Sequence, residues 1–149
     1  YKQVTAHTIE EDNISIISCN GISYKRYLRV LKGTNKKIAV LTDNDKDELR
    51  ISQAKKFNLE NKNQHVFMGK TVDDWTWEVC LIKRNKCVLD ELIKPDGNSK
   101  YLVNGADIGD KTLGKMLNQK VESAYKILKS NTKLIIPDHI CEAIEWLKK

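Results

Sequence analysis

The chain is poor in the residues that punctuate or staple a fold. Only two of its 149 residues are Pro and seven are Gly, which excludes collagen-like and Pro/Gly-rich low-complexity architectures. Its four cysteines, Cys19, Cys80, Cys87 and Cys141, show no C-x-x-C spacing, and His7, His65 and His139 are scattered away from them. That pattern argues against a zinc site and against a secreted disulfide scaffold, so a reducing cytoplasm is the expected compartment. Cys80 and Cys87, seven apart, read as small core residues of adjoining helical segments. No apolar run approaches the ~18 residues of a membrane-spanning helix. No signal-peptide pattern opens the sequence, and there is no internal repeat.

What is present describes a globular chain of one-domain size, with 40% hydrophobic and 31% charged residues. Twenty-six basic residues against 20 acidic leave a net charge of +6 and a pI near 9.1. Such an excess favours a polyanionic partner.

Strand-like and helix-like stretches alternate along the first half. Residues 14–18 read as a strand ended by Asn20-Gly21. Ser23 is placed to cap a helix over 24–32, with Tyr24, Tyr27, Leu28 and Leu31 at helical spacing and Gly33 as its stop. A second strand over 37–42, a helix over 46–58 and a third strand from Gln64 to Met68 follow. This alternation predicts an α/β fold with a parallel sheet, whose sites gather at the carboxyl ends of strands. The second half reads as helices over 75–84 and 86–93, a Gly-bearing loop over 94–110, a long helix over about 111–130, and a last helix opened by Pro137.

Two local patterns carry chemistry. Ile38 to Leu41 is an apolar run that ends in Asp43 and Asp45, which a strand's period of two would project from one face. Two close carboxylates repel unless something positive lies between them, and a hard divalent cation takes oxygen ligands. An exposed Asp-Asn-Asp turn is the alternative. In the long helix Met116, Ile127, Leu113, Ala124, Leu117, Leu128 and Val121 fill an apolar arc of about 140° that also contains Lys120. An ammonium in such an arc either snorkels to solvent or points at an anion.

Taken in order, Ile14 to Gly21, Tyr24 to Leu28 and Ile38 to Asp45 resemble a Toprim domain. More narrowly, they are similar to the Toprim region of the OLD-family nucleases (overcoming lysogenisation defect), which include the Gabija-type nuclease subunit. Thr76-Trp77-Glu78 resembles that family's Thr-x-Glu motif. Lys120 to Ala124 resembles its Lys-x-x-x-Ala helix, and Ile136 to Ile144 its closing segment. The likeness spans about residues 14–147. It implies a Toprim core over 1–93, the 94–110 loop, and a helical carboxyl-terminal part over 111–149 of the same domain.

The resemblance further implies a Mg²⁺- or Mn²⁺-dependent DNA endonuclease with two ions in its complete site. Asp43, Asp45 and Glu48 would match an Asp-x-Asp-x-x-Glu ligand motif, Glu78 would be a further ligand, and Lys120 would stabilise charge at the reacting phosphate. DNA, an ABC-type ATPase domain and a second copy of the chain are the partners it implies, and phage defence the role. In the family a first strand ends in Glu-Gly; by family spacing that strand falls before Tyr1, so the chain reads as a carboxyl-terminal fragment. Asn20 stands where the family has the first glycine of a Gly-Gly turn. Lys25 and Arg26, beside Tyr24 and Tyr27, are candidate contacts to a nucleic-acid backbone. Glu48 and Glu78 also read simply as favourable acids in first helical turns. Two other readings stay open: a truncated Toprim module that binds a partner protein or DNA without cutting, and a phosphoacceptor receiver domain.

Overall fold

A computed structural model describes residues 1–19, 23–95, 97 and 100–149. The predicted Asn20-Gly21 turn lies outside the described residues. A short helix α1 (Lys2–Thr5) is followed by α2 (Tyr24–Leu31), β1 (Ile38–Leu41), α3 (Glu48–Glu60) and β2 (Gln64–Phe67). After a 3₁₀ turn at Val72–Asp74 come α4 (Trp77–Ile93), a hairpin of β3 (Leu102–Val103) and β4 (Ala106–Asp107), α5 (Lys111–Asn118), α6 (Lys120–Lys129) and α7 (Asp138–Lys148). The result is the mixed α/β architecture expected, with a helical carboxyl-terminal part. No helix among the described residues is long and apolar enough to cross a membrane.

The strands β1 and β2 pair in parallel with Ile38 opposite Gln64 and Leu41 opposite Phe67. Alternation sends Ile38, Val40 and Val66 to one side, where they pack with Leu28 of α2 and Ile51 and Ala54 of α3. His65 and Phe67 take the other side, where His65 stacks on Trp146 of α7 at 4.4 Å between ring centroids. The sheet is thus a thin layer between α2/α3 and α7. A second core forms without it. Leu81, Ile82, Leu89 and Ile93 of α4 meet Met116 of α5 and Leu134, with Leu113 and Ile127 packed on their edge.

Local chemistry explains the element boundaries. Asp47 caps α3 by accepting from the Leu49 and Arg50 amides, and Asp110 caps α5 by accepting from Leu113 at 3.0 Å. The adjoining helices expected over 75–84 and 86–93 are two halves of α4, kinked at Asn85 (φ −133°, ψ 27°). The Asn85 side chain donates to the Leu81 and Ile135 carbonyls and accepts from the Ile135 amide, tying the kink to the strap before α7. At Asn104-Gly105 both residues have positive φ, the geometry a tight two-residue hairpin turn requires.

Several expectations are corrected. Residues 14–18 form no strand: among the described residues the only ladders are β1–β2 and β3–β4, and Ile16 and Ile17 are 75% and 60% exposed. An apolar run becomes a strand only where a neighbouring edge accepts its backbone, and neither ladder includes this one. The 94–110 segment is not wholly loop, since its hairpin packs on α5. The long helix is broken at Gln119 (φ −127°, ψ 54°), so the apolar arc computed for one continuous helix does not exist. Met116 is buried, whereas Val121 and Leu128 are 85% and 77% exposed. Cys80 is buried as expected, but Cys87 is exposed. Burial pushes the Cys80 thiol up to about 11.

Leu89 is fully buried at the centre of the second core. Leu89→Ala is expected to lower unfolding stability by about 2–5 kcal/mol, measured by urea titration. A loss below about 1 kcal/mol would mean that the α4/α5 contact is not a packed core.

Candidate metal and phosphate site

The chain leaves β1 at Leu41 and turns through residues 42–47, and one side chain fixes that turn. Asn44 is fully buried. Its amide donates to the carbonyls of Gly69 (3.0 Å), Thr71 (2.8 Å) and Asp74 (3.3 Å), and its oxygen accepts from the Lys46 amide at 2.9 Å. The end of β1 is thereby laced to the segment following β2. Gly69 lets that segment fold back on itself, because a Cβ there would fall 2.1 Å from the Asp74 carbonyl oxygen.

Asp43 and Asp45, flanking Asn44, point to different partners. Both follow β1 rather than lying on it, and Asp45 has a left-handed φ of 54°, so the shared strand face predicted for them is not formed. The Asp45 carboxylate is held by the Arg50 guanidinium. Asp43 Oδ1 accepts from the Trp77 amide at 3.0 Å, one of the free N–H groups at the start of α4.

That bond brings Asp43 to Glu78. Thr76 caps α4 by accepting from the Val79 amide, and this cap sets Glu78 in the first helical turn. Glu78 is only 8% exposed. Its Oε1 lies 3.2 Å from Lys120 Nζ, while its Oε2 is buried with no hydrogen-bond partner. The break at Gln119 makes Lys120 the first residue of α6, and from there its ammonium reaches the acid. Lys120 therefore both meets an anion and keeps its side chain about half exposed, and the continuous arc from which the two readings were drawn is absent.

Burial raises the Asp43 pKa above the usual carboxylate range, and the negative charges of Glu78 and Asp45 add to it. The Trp77 amide and the Lys120 charge act in the opposite direction. Burial is the largest of these effects. A first-turn acid and a helix-capping aspartate account for the positions of Glu78 and Asp43. They do not account for a buried carboxylate oxygen left without a donor, which is costly unless something fills the gap.

Asp45 and Glu48 stand apart from this pair. Glu48 opens α3 and lines a cleft with Lys46, Val72, Asp73 and Trp75. Lys46 itself lies over the Trp75 ring at 4.8 Å. Among the described residues no three His, Cys, Asp or Glu side chains gather as a metal cage. The four-carboxylate set of Asp43, Asp45, Glu48 and Glu78, expected to hold two ions, is therefore not assembled at one point. Asp43 and Glu78 fit a single hydrated divalent ion, since Mg²⁺ commonly takes one or two carboxylates and keeps its waters. Lys25 and Arg26 are exposed on α2 and are not part of this cluster.

Comparison with protein families bears on this geometry. Residues 1–45 match the Toprim domain of OLD-like proteins, described as "Overcoming lysogenization defect protein-like, TOPRIM domain". The match ends on Asp45. It covers α1, α2, β1 and the Asp43-Asn44-Asp45 turn, under a third of the chain. Glu48, Glu78 and Lys120 lie outside it, so their place near or away from Asp43 rests on the structure. No curated protein and no solved structure gives a significant match. Sequence reading missed Asn44, the one residue that organises the turn. Its signal was a polar residue between two acids at a strand end, which reads equally as an exposed turn.

Two expectations test the site. Asn44→Ala leaves three carbonyls and one amide without their partner and should cost about 2–3 kcal/mol, with the largest gain in amide exchange at residues 42–47 and 69–75. Unchanged exchange there would contradict the role given to Asn44. Asp43→Asn keeps an oxygen for the Trp77 amide and removes the repulsion with Glu78. Because the folded-state pKa of Asp43 is raised, its contribution to stability is full at low pH and is lost as pH rises through that pKa. The metal-free variant should therefore melt at a higher temperature than the parent at pH 7 and match it near pH 3. A lower melting temperature at pH 7 would count against a strained acid pair.

Proposed function

We propose that the chain is the nuclease part of an OLD-family, ATP-dependent phage-defence protein, cutting DNA phosphodiester bonds with a divalent metal ion. The observation that carries this reading is the Asp43–Glu78–Lys120 cluster, with its unpartnered buried oxygen. The Toprim likeness of residues 1–45 supports it from the sequence side. Asp43 and Glu78 are the residues that would hold Mg²⁺ or Mn²⁺. Such an ion would act as a Lewis acid, supplying positive charge at the reacting phosphoryl group.

The remaining roles belong to the chain itself. The Trp77 amide fixes the Asp43 carboxylate, and Asn44 fixes the backbone that carries it. Lys120 is about half exposed, so its ammonium can leave Glu78 for a phosphate oxygen without crossing packed protein. In a poorly solvated site that charge contributes most where negative charge develops. Asp45 is turned toward Arg50 and becomes a ligand only if that ion pair opens. This engagement of Asp45 favours a second reading, a Toprim module that holds DNA or a partner without cutting it.

Incubation of supercoiled plasmid with the protein and Mn²⁺ separates the two. Nicking is expected, with a loss of about 10²–10³-fold in Asp43→Asn and in Lys120→Ala. Mn²⁺ should also raise the melting temperature of the parent but not of Glu78→Gln. A Mn²⁺ shift that depends on Glu78 without any nicking would leave the metal site standing and favour the non-cutting module. Nicking unaffected by either substitution would remove the site altogether.

A further inference from the structure

A groove between α2 and the far half of α3 takes no part in the carboxylate cluster. It encloses about 430 Å³ and ends at Asn61 and Gln64, beside the amino-terminal end of β2. Asp43 and Glu78 lie past the opposite, carboxyl-terminal ends of the strands. The groove's floor is apolar, formed by Tyr24, Leu28, Ala54 and Phe57, all packed with the first core.

Its rim is cationic. Lys25, Arg29 and Lys32 follow one another at i, i+4 and i+7 along the α2 wall, a single row spanning about 10 Å. Among the described residues none of these three has an ion-pair partner. Lys56 stands on the α3 wall, 3.9 Å from Glu60, the only acid among the described lining residues.

We infer that this groove docks an acidic amphipathic helix of a partner protein. Carboxylates at i, i+4 and i+7 on that helix would face the Lys25–Arg29–Lys32 row, and its apolar stripe would cover the half-buried Tyr24 and Phe57. Charge complementarity selects the sign of the partner, and the apolar floor selects a ligand that carries aliphatic surface as well as charge. A nucleic-acid strand would share the cations. Yet Leu28 and Ala54 are buried, and Tyr24 and Phe57 lie against the core rather than standing free as base-stacking platforms. The inference does not rest on the proposed nuclease chemistry.

The probe is a fluorescein-labelled synthetic helical peptide with Glu at i, i+4 and i+7 and a Leu stripe, titrated by anisotropy against the full chain. Saturable binding is expected, with amide protection confined to α2 and residues 53–61. A scrambled peptide of identical composition, and the Arg29→Glu/Lys32→Glu variant, should each bind about tenfold more weakly. The variant should keep its circular dichroism and its Mn²⁺-induced melting shift, which separates failure here from failure of the metal site. If charge reversal unfolds the chain, Arg29→Ala/Lys32→Ala provides the same comparison. Equal binding of the scrambled peptide would overturn the inference, as would protection elsewhere. So would tighter binding of an oligothymidylate that displaces the peptide from these residues, since the groove would then be a nucleic-acid surface.

Discussion

The buried carboxamide of Asn44 is the constraint on which the rest of the candidate site depends. A chain leaving a parallel strand has no further ladder to follow, and its polar backbone needs other partners. Asn44 supplies them from one side chain, reaching Gly69, Thr71 and Asp74 on the neighbouring crossing. Four hydrogen bonds at full burial fix the direction of the turn, and with it the positions of Asp43 and Asp45. An aspartate at this place would bring a charge and no donors, so the amide chemistry is specific to its role.

Electrostatics then divides the acids into two kinds. Asp45, Asp12, Asp74 and Asp138 each lie beside a cation, as surface carboxylates ordinarily do. Asp12 is the extreme case: hydrogen bonds from Tyr1 and His7 and the nearby Lys148 hold it down to about 2. Asp43 is shifted the other way by burial and by Glu78. Among the described residues Lys120 is the cation that pairs with Glu78. Local conflict of that sort is found at functional or strained sites.

The sequence made the helices and both central strands legible because their periodicity and caps are local. The helices expected from 46 and 75 begin at Glu48 and Trp77, two residues later, where Asp47 and Thr76 cap them, and α5 begins at Lys111 as expected. The kink at Asn85 also agreed with two adjoining helices. What failed was non-local. Residues 14–18 have strand composition, but whether a strand forms depends on an edge elsewhere. The break at Gln119 has neither Gly nor Pro to announce it, so the periodicity of residues 111–130 read as one helix. Lys120 was nonetheless placed near an acid, for a reason that periodicity did not contain. Glu78 was named through family likeness, whereas its unpartnered oxygen is visible only in three dimensions.

The two hydrophobic cores have a consequence for the cluster between them. Asp43 is carried by the unit that packs around β1, β2, α2 and α3, while Glu78 and Lys120 belong to the α4–α6 unit. The acid pair therefore straddles a seam, stitched by the Trp77-to-Asp43 bond. The spacing of the carboxylates is thus set where the two cores meet rather than inside either one. Whatever grips both sides of the seam acts as a gauge of their spacing, and the small polar joint, more than either greasy interior, sets how finely that spacing is held.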